Sequence, residues 1–164
     1  MAQPGGSGAL KAPLAIREGS ARDRDFVLDL GRRTIASSVS RVRPATPEAL
    51  EASYARLHDF MYNQSHVVLI AEFAGERVGF LALLVEIPDE VSDAPQGFIA
   101  YMAVEPQARR HHIATALLER AERIARKRGL PSLALMVTEE NRGARELYAR
   151  AGFVTERRLL AKML

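Results

Sequence analysis

Four side chains that can carry positive charge stand together just before a helical pattern. Residues 109–112 read Arg-Arg-His-His, and the strand-like segment YMAV and then Pro106 come shortly before them. A helix N-terminus has free backbone N–H groups and the positive end of the helix dipole, so it favours anions. With Arg109 and Arg110 added, it would form a site for a phosphate-bearing ligand. The same arginines could instead be solvated, because strand-turn-helix arrangements are common.

The composition indicates one globular domain and excludes several kinds of chemistry. The chain has 164 residues, of which 48% are hydrophobic and 26% charged. It contains no cysteine, which excludes disulfides, thiolate metal ligands and a cysteine nucleophile. The net charge of +3 suits an anionic ligand without identifying one. Because the sequence has neither a long apolar run nor a signal-peptide core, we expect a cytoplasmic protein with no membrane partner.

The first part of the chain predicts a tail, a strand and two helices. Residues 1–11 are rich in Gly, Pro and Ser and predict a disordered tail. The segment PLAIRE alternates as a short strand. Ser20 and Asp23 have the spacing of a capping box and open the first helix. Thr46 can cap the second helix, because a proline follows it at the first helical position.

The rest of the chain alternates strands with helices. HVVLIAEF, RVGFLALLVEI, GFIAYMAV and SLALMVT are rich in strand-favouring residues, and AGE between the first two has the glycine of a tight hairpin. Apolar residues at helical spacing predict a helix that starts at Ile113 and stops at Gly129. Asn141 can cap a shorter helix that ends before Gly152. The final segment, FVTERRLLAKML, predicts a hairpin or strand pair.

This order of elements predicts a single α+β domain over residues 12–164. Hairpins in the middle of the chain favour antiparallel pairing, whereas helices between strands allow parallel crossovers. We therefore expect an αβα three-layer arrangement. Its centre would be a mixed, largely antiparallel, twisted sheet of six to seven strands, with helices on both faces.

Two segments resemble signatures of the GNAT superfamily of N-acetyltransferases. VEPQARRHHIATALL resembles the loop and helix that bind the coenzyme A pyrophosphate in that family, through Val104, Pro106, Arg109, Ala114, Leu117 and Leu118. NRGARELYARAGF resembles the second signature through Asn141, Ala144, Leu147, Tyr148, Gly152 and Phe153. Both signatures occur in the family's order and on the expected elements, so the resemblance implies a GNAT-like fold.

The resemblance implies that acetyl-coenzyme A binds here as co-substrate, without a metal. Backbone groups of Met102, Ala103 and Val104 would hold its pantetheine arm and could stabilise a developing oxyanion. The pyrophosphate would lie on the loop and first helical turn, formed by Arg109, Arg110, His111, His112, Ile113, Ala114 and Thr115. Asn141 and Tyr148 are further cofactor-binding candidates, although Asn141 could simply cap its helix.

His112 departs from the family pattern, which usually has a glycine at this position. Glycine tolerates positive φ and lets the backbone approach a ligand without a Cβ. We therefore predict that His112 has a negative φ and that its side chain is turned away from the pyrophosphate. Its amide can still donate, so we expect acetyl-coenzyme A binding to survive, with the imidazole in solvent or bonded to a phosphate. His111 and His112 could also be plain surface residues.

The resemblance also implies direct transfer of an acetyl group to an amine in a ternary complex, which needs no cysteine. Tyr148 matches the family's general acid, although its helical neighbours would also suit a core tyrosine. Phe98 stands where many relatives have a glutamate base. The remaining base candidates are Tyr101, Glu86, Asp89 and Glu90, and a water chain could serve instead.

The sequence also leaves alternatives in other functional classes. The helix over residues 113–128 has many arginines and could bind nucleic acid, but glutamates interleave with them and stacking aromatic residues are absent. A solvated ion-pair face is therefore favoured, with no nucleic-acid partner. A coenzyme A-binding sensor without catalysis is a second alternative. The acceptor could be a small-molecule amine or a peptide or protein amine, and the protein a monomer or homodimer.

Overall fold

The computed structural model describes residues 13–164, and the predicted tail over residues 1–11 lies outside them. The strands are β1 (Leu14–Glu18), β2 (His66–Phe73), β3 (Glu76–Pro88), β4 (Pro95–Val104) and β5 (Leu133–Leu135). The helices are α1 (Arg24–Thr34), α2 (Pro47–Tyr62), α3 (Ile113–Lys127) and α4 (Arg142–Arg150), with short 3-10 turns at Ala21–Asp23, Ile35–Ser38 and Pro106–Ala108. Within the described range, no helix is long and apolar enough to cross a membrane.

The helix ends form where the sequence predicted them. The Ser20 amide donates to Oδ2 of Asp23 at 2.8 Å, which completes the capping box ahead of α1. Thr46 Oγ1 accepts from the Ala49 amide at 3.2 Å at the start of α2. Helix α3 is followed by Gly129, whose φ of 69° only glycine adopts readily. Local side-chain chemistry therefore sets these boundaries.

The sheet has the order β1-β2-β3-β4-β5. The first four strands pair antiparallel, and β4 and β5 pair in parallel. Strands β2 and β3 are joined by Ala74 and Gly75, both with positive φ, as a two-residue hairpin turn requires. Strand β5 pairs only through Leu133–Leu135 against Gly97–Ile99, so it is a short edge strand.

Two hydrophobic cores lie on opposite faces of this sheet. Along β2, Leu69 and Ala71 pack in the core that includes α3, whereas Val68 and Ile70 pack in the core formed with α1 and α2. This alternation follows from the two-residue period of a strand. The αβα three-layer architecture with a mixed, largely antiparallel sheet is thus confirmed.

The sheet has five strands in the described chain, fewer than the six to seven predicted. Residues 153–164 form no strand, and the segment SLALMVT contributes only the three residues of β5. A strand is stable only when its backbone groups pair with a neighbour. Within residues 13–164 the final segment has no such neighbour, so its strand-like composition alone does not make it a strand.

The outer face of α3 is ion-paired. Arg126 lies 2.5 Å from Glu122 one turn earlier, and Arg120 lies 3.8 Å from Glu18 on β1. Exposed pairs of this kind contribute at most about 1 kcal/mol each. These ion pairs support the interpretation of the basic surface of α3 as a solvated face.

Candidate active site

The loop between β4 and α3 has an unusual backbone. It leaves β4 at Glu105, makes a 3-10 turn and reaches α3 through residues 109–112. Arg110 and His112 have φ of 67° and 59°, both in the left-handed region. Left-handed residues in such a turn aim successive N–H groups into a concave anion-binding nest. In the described chain, the amides of residues 110–115 donate to no protein acceptor, so they are available to a ligand.

The negative φ predicted for His112 is wrong. This residue caps α3 with φ 59° and ψ 18°, the conformation that glycine takes at such a position. The loop enters α3 through this turn, and histidine is among the residues that tolerate the left-handed region better than most. Its side chain is exposed and meets no obstacle. The conformation costs about 1 to 2 kcal/mol, which the surrounding structure must offset.

Replacing His112 with glycine should therefore stabilise the protein. Relief of the left-handed strain exceeds the chain entropy that glycine adds, for a net gain of about 0.5 to 1 kcal/mol and a Tm increase of about 2 °C. Thermal unfolding measures the change. His111→Gly is the matched control, because His111 lies outside the left-handed region and should lose stability instead. A loss of stability in His112→Gly would contradict the assignment of strain.

His111 braces the loop through its ring. Its Nδ1 lies 3.1 Å from the Ala108 carbonyl oxygen and 3.0 Å from that of Arg109, so Nδ1 must carry the hydrogen. The ring also packs 5.0 Å from the ring of Phe73 at the end of β2. His111 thus fixes the shape of the nest by its side chain, a role that the sequence did not indicate.

Arg109 and Arg110 supply positive charge around the nest. Both side chains are exposed, and neither pairs with an acidic side chain within residues 13–164. Arg33, by contrast, is paired. Arg33 on α1 binds both carboxylate oxygens of Glu105, at 3.0 and 2.7 Å, which ties α1 to the start of the loop. These hydrogen bonds raise the pKa of Arg33.

A gap opens beside the second half of β4. Strand β5 pairs with β4 only as far as Ile99, so residues 100–104 have β3 on one side and no strand on the other. A β-bulge at Ala100, between Ile99 and Tyr101, marks the point where the two strands separate. Alternate backbone N–H and C=O groups of this segment, which includes Met102, Ala103 and Val104, therefore face the gap. An extended ligand with amide groups could pair with them as a strand would.

Tyr101 belongs to the open part of β4, and Tyr148 lies near it on α4. Tyr148, on α4, packs 5.8 Å from the ring of Phe153 and is half-buried, and its hydroxyl has no protein hydrogen bond in the described chain. Burial raises the pKa of Tyr148, and the nearby Tyr101 raises it further. The Tyr101 hydroxyl lies 3.2 Å from Thr34 Oγ1, and burial raises its pKa as well. Both phenols are therefore protonated near neutral pH.

The 3-10 turn after α1 is tied to the segment that leads into α4. Thr138 Oγ1 donates to the Ser38 carbonyl at 2.5 Å, and Asn141 Nδ2 donates to the Ser37 carbonyl at 3.2 Å. Asn141 Oδ1 also accepts from the Ala144 amide at 3.2 Å, which caps α4. Both polar atoms of the Asn141 side chain thus have protein partners. These bonds hold the start of α4, the helix that carries Tyr148.

The acidic base candidates lie away from both tyrosines. Ala82 on β3 lies opposite Tyr101, and Glu86 comes four residues later, about 13 Å further along the strand. Glu86 accepts a hydrogen bond from Ser65 at 2.6 Å. Asp89 accepts from the Val91 and Ser92 amides in the β3–β4 turn, which lowers its pKa. Glu90 pairs with Arg157. The structure brings none of these carboxylates to the gap.

Sequence reasoning missed three contacts of the site. They are the Arg33–Glu105 pair, the Thr34–Tyr101 hydrogen bond and the packing of His111 on Phe73. Each joins elements that are far apart along the chain, so no local pattern could have indicated it.

Comparison with models of protein families identifies the family of this chain. The family model described as the acetyltransferase (GNAT) family matches residues 36–153, which include the nest, the gap and both signature segments. The chain belongs to the GNAT family. Enzymes of this family use acetyl-coenzyme A, and neighbouring structures contain coenzyme A or acetyl-coenzyme A.

Curated relatives of this GNAT protein match over part of the chain. An uncharacterized N-acetyltransferase of Methanocaldococcus jannaschii is 36% identical over 84 residues, covering 51% of this chain and 37% of the relative. A mycothiol acetyltransferase of Beutenbergia cavernae is 39% identical over 72 residues, covering 44% of this chain and 24% of the relative. The matched region thus spans well under half the length of each of these relatives.

Solved structures share the GNAT fold over nearly their whole length. A structure assigned as an acetyl transferase, from Pyrococcus furiosus, has a TM-score of 0.78 at 23% identity and covers 93% of this chain and 100% of that chain. An aminoglycoside N-acetyltransferase in complex with coenzyme A has a TM-score of 0.70 at 18% identity, covering 95% and 97%. An acetyltransferase from Clostridium acetobutylicum with acetyl-coenzyme A has a TM-score of 0.62 at 20% identity, covering 92% and 96%.

Proposed function

We propose that this GNAT protein transfers an acetyl group from acetyl-coenzyme A directly to an amine. The observation that carries the proposal is the nest at the start of α3, where six amides and two arginines have no hydrogen-bond or ion-pair partner among residues 13–164. Pyrophosphate needs this combination of backbone donors and positive charge. A sensor that only binds coenzyme A would use the same nest, so catalysis rests on the tyrosines beside the gap.

The residues that would hold acetyl-coenzyme A lie on the open side of β4 and around the nest. The pantetheine arm would pair with Met102, Ala103 and Val104 on the open side of β4. The pyrophosphate would bind Arg109, Arg110, His111, His112, Ile113, Ala114 and Thr115, mainly through backbone amides. Because the His111 ring is already bonded to the loop at Nδ1, its side chain would act through the shape of the nest. Asn141 would act in the same indirect way.

Tyr148 would act as the general acid. Acetyl-coenzyme A supplies an acetyl group activated as a thioester, and its transfer leaves a thiolate that needs a proton. The Tyr148 hydroxyl has no hydrogen bond to any described residue, and it keeps its proton at neutral pH because burial raises its pKa. Both properties suit a proton donor. The absence of cysteine also agrees with direct attack by the amine.

The acceptor amine must lose a proton before it can attack. None of Glu86, Asp89 and Glu90 lies near the gap, and a phenol with a raised pKa such as Tyr101 is a poor base. We propose that the proton leaves through water, with the hydroxyl groups of Tyr101 and Thr34 as relay partners. The acceptor would be a small-molecule, peptide or protein amine. Relatives named for mycothiol and aminoglycoside chemistry differ too much in acceptor to narrow this class.

Binding and turnover test the proposal separately. Calorimetry should detect acetyl-coenzyme A binding, and a free-thiol assay should detect release of coenzyme A with at least one class among small amines, aminoglycosides, peptide N-termini and protein lysines. Binding without thiol release for any class would favour the sensor. An absence of binding would overturn both readings.

Removing the charge around the nest should weaken cofactor binding. We expect Arg109→Ala with Arg110→Ala to raise the Kd for acetyl-coenzyme A about 100-fold, since each charge-assisted contact contributes about 1.5 kcal/mol, or roughly tenfold. Arg123→Ala is the matched control, because it removes an exposed arginine from α3 beyond the first turns of the helix. An equal effect of the control would indicate a general charge effect rather than a site.

A further inference from the structure

An acidic residue lies at the start of the loop that forms the nest. Glu105 directly follows β4, and its side chain is only 12% exposed. Its amide donates to the Val78 carbonyl on β3 at 2.8 Å, and its own carbonyl accepts from the Ala108 amide at 2.9 Å. These two bonds fix the backbone of Glu105 between β3 and the loop. A largely buried carboxylate therefore lies beside a site that is built for an anion.

Glu105 is close enough to the nest for its charge to act there. Pro106–Ala108 form a 3-10 turn, which advances only about 2 Å per residue, so the nest begins roughly 10 Å from Glu105. Charges at this distance still interact when they are partly buried, because salt screens them less than it screens charges in open water. A carboxylate without a counter-charge at position 105 would thus oppose the binding of pyrophosphate.

Arg33 on α1 pairs with this carboxylate. Its two terminal nitrogens donate to separate oxygens of Glu105, at 3.0 and 2.7 Å, in the bidentate geometry of a strong charge-assisted pair. Nε of Arg33 donates instead to Asp29 one turn earlier, whose side chain is 67% exposed and therefore well solvated. Within the described chain no other basic side chain lies within 4 Å of Glu105, so its charge is balanced by Arg33.

The two partners of this pair should have opposite effects on an anion in the nest. Loss of Arg33 would leave a largely buried carboxylate without its counter-charge and add a negative charge near the nest. Loss of the charge on Glu105 would leave a half-exposed arginine that keeps its bond to Asp29. Loss of both charges would restore the balance. A pair that only tied α1 to the loop would show no such asymmetry, because either loss breaks the same contact.

We infer that Arg33 is a positioning residue for cofactor binding, which holds the Glu105 carboxylate toward α1 and neutralises it so that the nest remains attractive to pyrophosphate. Arg33 acts through Glu105 and needs no contact of its own with the cofactor. The inference rests on the proposed function, because it takes the nest as the pyrophosphate site. It adds a residue that lies outside both signature segments and before residues 36–153, which the family model matches.

Calorimetry with acetyl-coenzyme A on the wild type and three variants tests this role. We expect Arg33→Met to raise the Kd about tenfold and Glu105→Gln to lower it about twofold, whereas the double variant should return to within about twofold of the wild type. The defect of Arg33→Met should shrink about threefold between low and high salt, because salt screens the unbalanced negative charge. Recovery in the double variant and this salt dependence are effects that a merely structural contact would not produce.

Two further variants separate charge from geometry and from a general effect on α1. Arg33→Lys keeps the positive charge without the bidentate fork, so its Kd should stay within about threefold of the wild type. Arg24→Met is the matched control, because Arg24 also lies on α1 and pairs with an acid, Asp59, at 3.8 Å, but at the opposite end of the helix. Its Kd should stay within about twofold of the wild type, and an equal defect in this control overturns the inference.

The outcomes distinguish this inference from the proposed function. Equal weakening by Arg33→Met and Glu105→Gln, without recovery in the double variant, would indicate a structural tie and overturn the inference. A raised Kd in Glu105→Gln would also overturn it, and this measurement can be made even if Arg33→Met does not fold. An unchanged Kd in Arg33→Met overturns the inference and leaves the proposed function standing, whereas an absence of wild-type binding overturns both.

Discussion

Replacing Tyr148 with phenylalanine should lower the turnover number about 100-fold or more and leave the Kd for acetyl-coenzyme A nearly unchanged. The substitution removes only the hydroxyl, and a positioned general acid commonly contributes at least this much. The hydroxyl makes no protein hydrogen bond in the described chain, so its loss should cost little stability. Steady-state kinetics with a good acceptor, together with calorimetry, measure the two effects.

The controls for this prediction use another tyrosine and pH. Tyr62→Phe removes a hydroxyl from the end of α2 and should leave turnover unchanged. Because burial raises the pKa of Tyr148, the acid form persists through neutral pH, and rates should fall only as pH rises above the raised pKa. An unchanged turnover number in Tyr148→Phe would remove this residue from the mechanism.

Replacing Gly31 with alanine should destabilise the protein by about 3 kcal/mol and lower the Tm by about 6 to 12 °C. A Cβ at Gly31 would lie 1.8 Å from Cζ of Tyr54 and 2.3 Å from its hydroxyl oxygen. Tyr54 cannot move aside easily, because it is fully buried and its hydroxyl donates to the Val27 carbonyl at 3.0 Å. Helices α1 and α2 would have to separate. Urea unfolding measures the loss.

Gly143 provides the matched control for this substitution. It also lies in a helix, but a Cβ there would have nothing within 4 Å. Gly143→Ala should therefore raise stability, by about 0.5 kcal/mol, through the better helix propensity of alanine. Equal effects of the two substitutions would show that the contact between Gly31 and Tyr54 is not what constrains α1. A displaced α1 should also reduce activity, since this helix carries Thr34 and Arg33.

Much of the fold could be predicted because its causes are local. The Ser20–Asp23 capping box, the Thr46 cap and the Gly129 stop each depend on neighbouring residues, and all three appear in the structure. The loop that joins β4 to α3 also has local signals, and its composition and position predict an anion site, which stays a prediction. Its exact backbone could not be predicted. The φ of His112 is set by how the whole loop meets α3, which overrides the preference of a single residue.

Other parts could not be predicted because their causes are distant. The segment after Phe153 has the composition of a strand, but strand formation depends on a partner that the sequence does not specify. The hydrogen bond between Tyr101 and Thr34 spans 67 positions along the chain. Glu86 has a plausible position in sequence, yet the register of β3 with β4 places it well beyond Tyr101. Only the folded sheet decides which side chains share a site.

The division of the molecule into two cores has a consequence for how the protein can change. The core with α3 includes Ile113 and contacts Tyr148, whereas the core with α1 and α2 includes Tyr101. Adjacent residues of β2 therefore pack in different cores, Leu69 in the core with α3 and Ile70 in the core with α1 and α2. Substitutions could adjust recognition of the acceptor on one face of the sheet while the nest on the other face keeps its shape. The central sheet thus separates the two faces, and we expect substitutions in one core to leave the packing of the other core largely unchanged.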